Sequence, residues 1–157
     1  MKKPQIYSVG YENIDPTYLV ELSQSLGAVV IDVRARMSRV KAGFGRRQLE
    51  TLLGDNYQWR GDILGGFGQD TTEGRRWLAD FDKPSILLCK EYWPGDCHRH
   101  QTIAAPMLNK PLKGAEKRMV LHLFEGALIR TDELGADGEP LDDTESLSFD
   151  EHLASLK

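Results

Sequence analysis

Two short runs, AVVIDVRA at 28–35 and PSILLC at 84–89, are apolar at almost every consecutive position. A strand with one wet face alternates, whereas an unbroken run needs cover on both faces, as in the parallel sheets of α/β proteins. QIYSVG at 5–10 and RMVLHLF at 118–124 read as further strands, and YQWRGDILGG at 57–66 holds a weaker one ending in paired glycines. Helix-forming segments lie between them. In DPTYLVELSQSLG at 15–27, Asp15 can cap, Pro16 takes the first helical position and Gly27 stops the helix. RRQLETLLGD at 46–55 and TEGRRWLADF at 72–81 read the same way, and CHRHQTIAAPML at 97–108 begins as a helix that Pro106 must end or kink. Strands alternating with helices predict an α/β fold: a single-domain, three-layer architecture with a mainly parallel central sheet of about five strands, Rossmann-like.

The length of 157 residues suits one domain with its own core. Nothing approaches the roughly 18 apolar residues of a membrane span, and MKKPQIYSVG lacks the apolar centre of a signal peptide. The expected address is therefore the cytoplasm, where Cys89 and Cys97 are free thiols rather than a bridge. The net charge of −4 conceals an asymmetry. Residues 1–130 hold 19 Lys and Arg against 15 Asp and Glu, while 131–157 hold nine acids and one base, Lys157. This divides the chain into an α/β domain over 1–130 and an acidic C-terminal extension over 131–157. The extension is poor in apolar residues and reads as loosely ordered, with SFDEHLASL at 148–156 as a short docking helix.

In open parallel sheets, ligands collect where strands end and loops lead into helices. Three polar clusters fall at such ends: Gly10-Tyr11-Glu12, Asp32-Val33-Arg34, and CKEYWPGDCHRH at 89–100. Cys97 invites two readings. At the start of a helix, beside His98, Arg99 and His100, it is a thiolate nucleophile with His98 or His100 as acid and base; alternatively it packs beneath the helix as a small apolar residue. Cys89, inside an apolar strand end, reads as core filler. His98 and His100 are two apart on a helix and cannot easily share an ion with Cys97, and no metal or cofactor motif occurs elsewhere, so neither is expected. Asp32 and Arg34 face the same side of their strand. They form either a structural ion pair or a base with an anion clamp.

Residues 34–47, RARMSRVKAGFGRR, contain six basic residues and no acid. Such a loop suits a polyanion, with Phe44 stacking on a base or filling an apolar slot. It equally suits a solvated surface answered by the acidic tail. GGFGQ at 65–69 lacks a following lysine and is weak evidence for phosphate. Trp59 and Trp77 read as core, whereas Tyr92 and Trp93 precede Cys97 and can stack a ligand.

These motifs together resemble the DUF488 family, a domain of unknown function. YSVGYEN at 7–13 is similar to its opening strand and turn, and VIDVRARMSRVKAGFGRRQLETLL at 30–53 to its V-D-V-R…S-R…F-x-x-x-x-L segment. GDILGG at 61–66 resembles its Leu-Gly-Gly turn, ILLCKEYWPGDCHRHQTIA at 86–104 its L-L-C-x-E…C-H-R block, and MVLHL at 119–123 its closing strand. The resemblance spans residues 5 to about 124 in the family's order and implies a small cytoplasmic α/β protein without an established activity. The matching positions include Gly10, Tyr11, Glu12, Asp32, Arg34, Ser38, Arg39, Phe44, Cys89, Glu91, Cys97, His98, Arg99 and His122. Tyr11-Glu12 follows one variant of the opening, so any role of a family histidine there does not transfer.

The leading expectation is an enzyme acting on a nucleotide or nucleic acid. Cys97, His98, Asp32 and Glu12 are its catalytic candidates; Arg34, Arg39, Arg99, Tyr11, Ser38 and Phe44 are candidates for holding a phosphate-bearing substrate. The alternatives are a non-catalytic nucleotide or nucleic-acid binding module and an interaction protein that meets a protein partner through its acidic tail.

Overall fold

The structure is a computed structural model that describes residues 3–36, 40–66, 68–135, 137–141 and 146–157. It is a mixed α/β arrangement around one seven-stranded, mostly parallel sheet. The strands are β1 (Ile6–Gly10), β2 (Val29–Asp32), β3 (Tyr57–Trp59), β4 (Ser85–Cys89), β5 (Val120–Phe124), β6 (Ala127–Arg130) and β7 (Leu147–Ser148), in spatial order β3-β2-β4-β1-β5-β6-β7. The first five are mutually parallel, while β6 and β7 add on antiparallel. The five parallel strands fall in the segments read from sequence. The third is shorter than its apolar run, because Gly61–Leu64 turns into a one-turn helix, α3.

Residues alternate along each strand between two cores. Tyr7, Val9, Val30, Ile86 and Leu88 point to one face. There they meet Leu19, Leu22 and Leu26 of α1 (Pro16–Leu26), Leu49 and Leu53 of α2 (Arg46–Leu53), and Phe149 of α6 (Phe149–Ser155). Ile6, Val29, Ile31, Leu87 and Cys89 point to the other. Their cover is Leu64 of α3, Leu78 of α4 (Thr72–Asp80), Ile103, and Met107 of α5 (Ala105–Asn109). Each fully buried aliphatic side chain contributes about 1.5–3 kcal/mol, so both layers are needed to hold strands as apolar as β2 and β4. Helix α1 forms as its sequence directs: Asp15 Oδ1 accepts from the Tyr18 N–H at 2.9 Å, and Gly27 closes the helix in the left-handed region (φ 59°).

This winding places the site. The connections after β1 and β2 run over one face, and those after β3 and β4 over the other. At the carboxyl end of β4, flanked by β1 and β2, neighbouring loops therefore diverge, which is where open α/β sheets leave a crevice.

Beyond residue 130, α6 is the short docking helix expected from SFDEHLASL, while the other described residues depart from the loose order expected. The β6–β7 pair extends the sheet, Leu134 and Phe149 are buried, and the Tyr7 hydroxyl bonds His152 Nε2 at 2.6 Å. Gly95 and Gly138 pack so closely that a Cβ on either would lie about 2 Å from the other's carbonyl oxygen. The tail gains order from a few well-placed apolar residues, which composition averages away. No described helix is long and apolar enough to cross a membrane.

Candidate functional site

A cleft of about 400 Å³ opens over the end of β4. Its lining includes Tyr11, Arg34, Cys89, Glu91, Cys97 and His98. The three polar clusters of the sequence thus meet on one rim. Gly10 makes the meeting possible, since a Cβ there would lie 1.8 Å from the Glu91 carbonyl oxygen.

The helical turns after β4 start at Cys97, within the expected helix, but they run as a π-helix rather than an α-helix. Pro94–Asp96 form a 3₁₀ turn, Cys97 is extended (φ −119°, ψ 147°), and a π-helix runs over Arg99–Ala104 before α5. Pro106, which has no N–H to give, falls at the start of α5 instead of breaking a longer helix. Cys97 caps these turns, its carbonyl accepting from the His100 and Gln101 N–H groups at 3.1 and 3.2 Å.

Cys97 Sγ lies 3.9 Å from His98 Nδ1, Cys89 Sγ lies 3.5 Å from the same nitrogen, and all three atoms fall within 4.8 Å of one another. Both cysteines are free. His98 Nε2 sits 3.0 Å from the Val33 carbonyl and 3.1 Å from that of Leu64. Carbonyls only accept, so Nε2 carries a proton and Nδ1 faces the sulfurs. The Cys89 thiol, as donor to Cys97, holds Cys97 well below the usual thiol range; burial opposes this, and Arg99 and His98 reinforce it. Cys89 is pushed up by that same bond and by burial. Burial alone would lower His98, but Cys97 and the two carbonyls outweigh it and raise the imidazole. The arrangement favours the thiolate form of Cys97 and the protonated form of His98, with Cys89 biased toward the neutral thiol. Sequence reading had set Cys89 aside as filler; the apolar run that hid it also delivers it to the cleft.

Asp32 and Arg34 form a buried bidentate pair, Nε–Oδ1 at 2.8 Å and Nη2–Oδ2 at 2.6 Å. The Tyr57 hydroxyl and the Arg34 N–H also donate to Asp32, at 2.5 and 3.1 Å. Enclosed and saturated with donors, this carboxylate orients Arg34, and it is absent from the cleft lining that a base would have to reach. Arg34 Nη1, by contrast, is buried without a hydrogen-bond partner among the described residues. A guanidinium nitrogen left unpaired beside a cleft is the type of donor an anionic ligand satisfies. The Tyr11 ring lies 5.2 Å from this guanidinium.

Other expected site residues go elsewhere. Glu12 is exposed and does not line the cleft. Phe44 is fully buried, stacked on Tyr11 with centroids 4.9 Å apart, and so has no face for a base. Ser38 and Arg39 lie outside the described residues. Tyr92 and Trp93 pack on Phe124, at 4.6 and 5.0 Å between centroids.

Arg99 is fully buried, and its expected role of holding phosphate is not the one its contacts describe. Nε donates to Ser8 Oγ at 3.0 Å, Nη1 to the Glu91 carbonyl at 2.7 Å and Nη2 to that of Tyr92 at 3.4 Å. Ser8 Oγ then meets His122 Nδ1 at 2.5 Å, His122 Nε2 meets His100 Nδ1 at 3.3 Å, and His100 Nε2 meets the Gly135 carbonyl at 3.0 Å. A guanidinium can only donate and a carbonyl only accept, so every proton in the chain is fixed: Arg99 to Ser8 to His122 to His100 to Gly135. Both imidazoles are neutral, and burial is the main cause that lowers each. Ser8 inside IYSVG and His122 inside VLHLF, lone polar residues in apolar strands, were the sequence signals of this network.

No family model, curated protein or solved structure matches this chain.

Proposed function

We propose that the protein is an enzyme whose cleft takes a phosphate-bearing substrate of the nucleotide class. The observation that carries this is the buried, unpaired Arg34 Nη1 in the same cleft as the Cys97–His98 pair. Arg34 binds the anion, held rigid by Asp32. Arg36 and Lys90 add positive charge, and Tyr11 offers an aromatic wall beside the guanidinium. A volume of about 400 Å³ lies within the usual range of small-molecule sites. In the chemistry this supports, the Cys97 sulfur bonds to an electrophilic centre next to the bound anion. The leaving group departs with the bonding pair and takes the proton from His98 Nδ1, and water then displaces the sulfur.

Membership of the DUF488 family belongs to this reading, supported by the convergence of Gly10, Arg34, Cys89, Cys97 and His98 on one rim. So does a cytoplasmic address, which suits two adjacent free thiols. A Rossmann-like description draws on helices covering both faces, although β4 standing between β1 and β2 departs from that strand order.

The test is a thermal-shift screen of nucleotides, nucleosides, sugar phosphates and short DNA, followed by turnover of any hit. A ligand at 100 times its dissociation constant should contribute about 2.7 kcal/mol. Arg34→Lys should lose most of that shift, whereas Cys97→Ala should keep the shift and lose turnover. No stabilisation by any phosphate compound, or turnover surviving in Cys97→Ala, overturns the proposal.

A non-catalytic binding module is favoured by one observation: Cys97 is only 2% exposed. Iodoacetamide separates the readings. Rapid alkylation of Cys97 at neutral pH fits the enzyme; alkylation no faster than that of an ordinary thiol fits the module.

A further inference from the structure

We infer that Cys89, Cys97 and His98 form a site for a soft divalent cation of the Zn²⁺ class, with its fourth coordination position open to the cleft. The site lies in the cleft assigned above to the proposed enzyme, but does not rest on the reactivity of the thiol.

Geometry comes first. Zn²⁺ takes sulfur at about 2.3 Å and imidazole nitrogen at about 2.0–2.1 Å in a tetrahedron, which sets ligand atoms roughly 3.5–3.8 Å apart. The two sulfur–nitrogen separations here are 3.5 and 3.9 Å, and no two of the three atoms are more than 4.8 Å apart. Side-chain adjustment of about an ångström or less closes the triangle on an ion.

The surroundings are those a metal-binding histidine needs. His98 Nε2–H is donated to the Val33 and Leu64 carbonyls, so the ring is fixed with Nδ1 toward the sulfurs. Such outer contacts fix tautomer and ring direction in metal sites. Gly66 packs against the same ring, where a Cβ would stand 3.3 Å from Nδ1. Cys89 ends a central strand, and Cys97 donates its backbone N–H to the Pro94 carbonyl, so the ligands sit on ordered backbone.

Two thiolates and an imidazole select Zn²⁺, Co²⁺ or Cu⁺ over the oxygen-seeking Mg²⁺ and Ca²⁺. Two thiolates also neutralise a divalent ion. A structural zinc site closes with a fourth protein ligand, but among the described residues only these three ligand atoms group together. All three residues line the cleft, so the remaining position is available to water or an anionic ligand beside Arg34. Metal loading works against covalent chemistry, because electron density given to the ion lowers the nucleophilicity of the sulfur.

The test is an anaerobic titration of metal-stripped, full-length protein with Co²⁺ alone, followed by absorption. The expected result is one equivalent bound, with sulfur-to-cobalt charge transfer, tetrahedral d–d bands, and displacement by Zn²⁺. The chain has two cysteines only, so thiolate bands identify the ligands even before mutation. Cys89→Ser and Cys97→Ser should each weaken binding by more than the roughly 10–100-fold that loss of a supporting contact costs. Zn²⁺ should also protect Cys97 from iodoacetamide, read by mass spectrometry. Absence of thiolate–cobalt bands in the wild type overturns the site, as do bands that persist unchanged in Cys97→Ser. Slow alkylation of the metal-free protein would instead count against the enzymatic reading and leave the metal site standing.

Discussion

The tetrapeptide Cys97-His98-Arg99-His100 is shared between two environments that use the same residue types to opposite ends. Cys97 and His98 turn to the cleft, where they meet each other and Cys89 beside Arg34 Nη1, a donor left unpaired among the described residues. Arg99 and His100 turn inward and join Ser8 and His122 in a chain whose proton positions are all determined. What separates the halves is access to the cleft, where Arg34 Nη1 is unpaired among the described residues. A buried polar group that is fully paired holds the fold together, whereas one left unpaired at a cavity costs stability that only a ligand recovers.

Removal of Arg99 should break the inner half most severely. Arg99→Ala strands Ser8 Oγ and the carbonyls of Glu91 and Tyr92, and leaves a cavity in a fully buried position. The expected loss is about 3–5 kcal/mol, read as a shifted urea midpoint or as failure to fold. Cys97→Ala, in the outer half, should cost less than about 2 kcal/mol. If the two variants lose equal stability, the division of the tetrapeptide into structural and chemical halves is wrong.

How much of this was legible follows from the kind of signal each residue carries. The parallel strands and the rim were readable because unbroken apolar runs such as PSILLC end at polar residues, and chain direction then brings those ends together. The pairing of Arg34 with Asp32 was also readable, since a charge at the end of an apolar strand needs a partner and Asp32 lies two residues away. Arg99 was not. Nothing in CHRH says which way each side chain turns, and a π-helix in place of an α-helix rotates the set away from the expected faces. Cys89 was hidden by its own strand, and Phe44 by its setting of glycines and basic residues. Its burial under Tyr11 is a tertiary event with no local sequence mark.

A smaller effect sharpens the comparison through pH. His122 is neutral in the folded state, and its folded pKa lies well below that of a free imidazole, first because of burial and then because Arg99 and His100 face it. Ser8 completes its surroundings. Above about pH 6.5 both folded and unfolded forms are neutral, and the group adds no pH dependence. Below that, the unfolded chain takes up a proton that the folded chain refuses, so unfolding free energy falls by up to about 1.4 kcal/mol per pH unit. Stability is thus lost as the pH falls, and His122→Gln should flatten the decline between about pH 6.5 and 5 even if it is less stable at pH 8. Parallel wild-type and variant curves from urea unfolding across that range would show that the network does not exclude the proton.

The smallest effect belongs to Glu12, which sequence position placed on the same rim as Cys97 and which is not among the residues lining the cleft. Its backbone carbonyl accepts from Lys41 Nζ at 3.3 Å, a contact that survives any change of side chain. The carboxylate itself is exposed. Glu12→Ala should therefore change stability by no more than about 0.5 kcal/mol and leave nucleotide-induced thermal shifts as they are in the wild type. Loss of ligand stabilisation in this variant would mean that the loop after β1 folds over the bound molecule. The ligand-facing groups would then extend beyond Arg34, Cys97 and His98, and the boundary between the two halves would have to be redrawn around a closed form of the cleft.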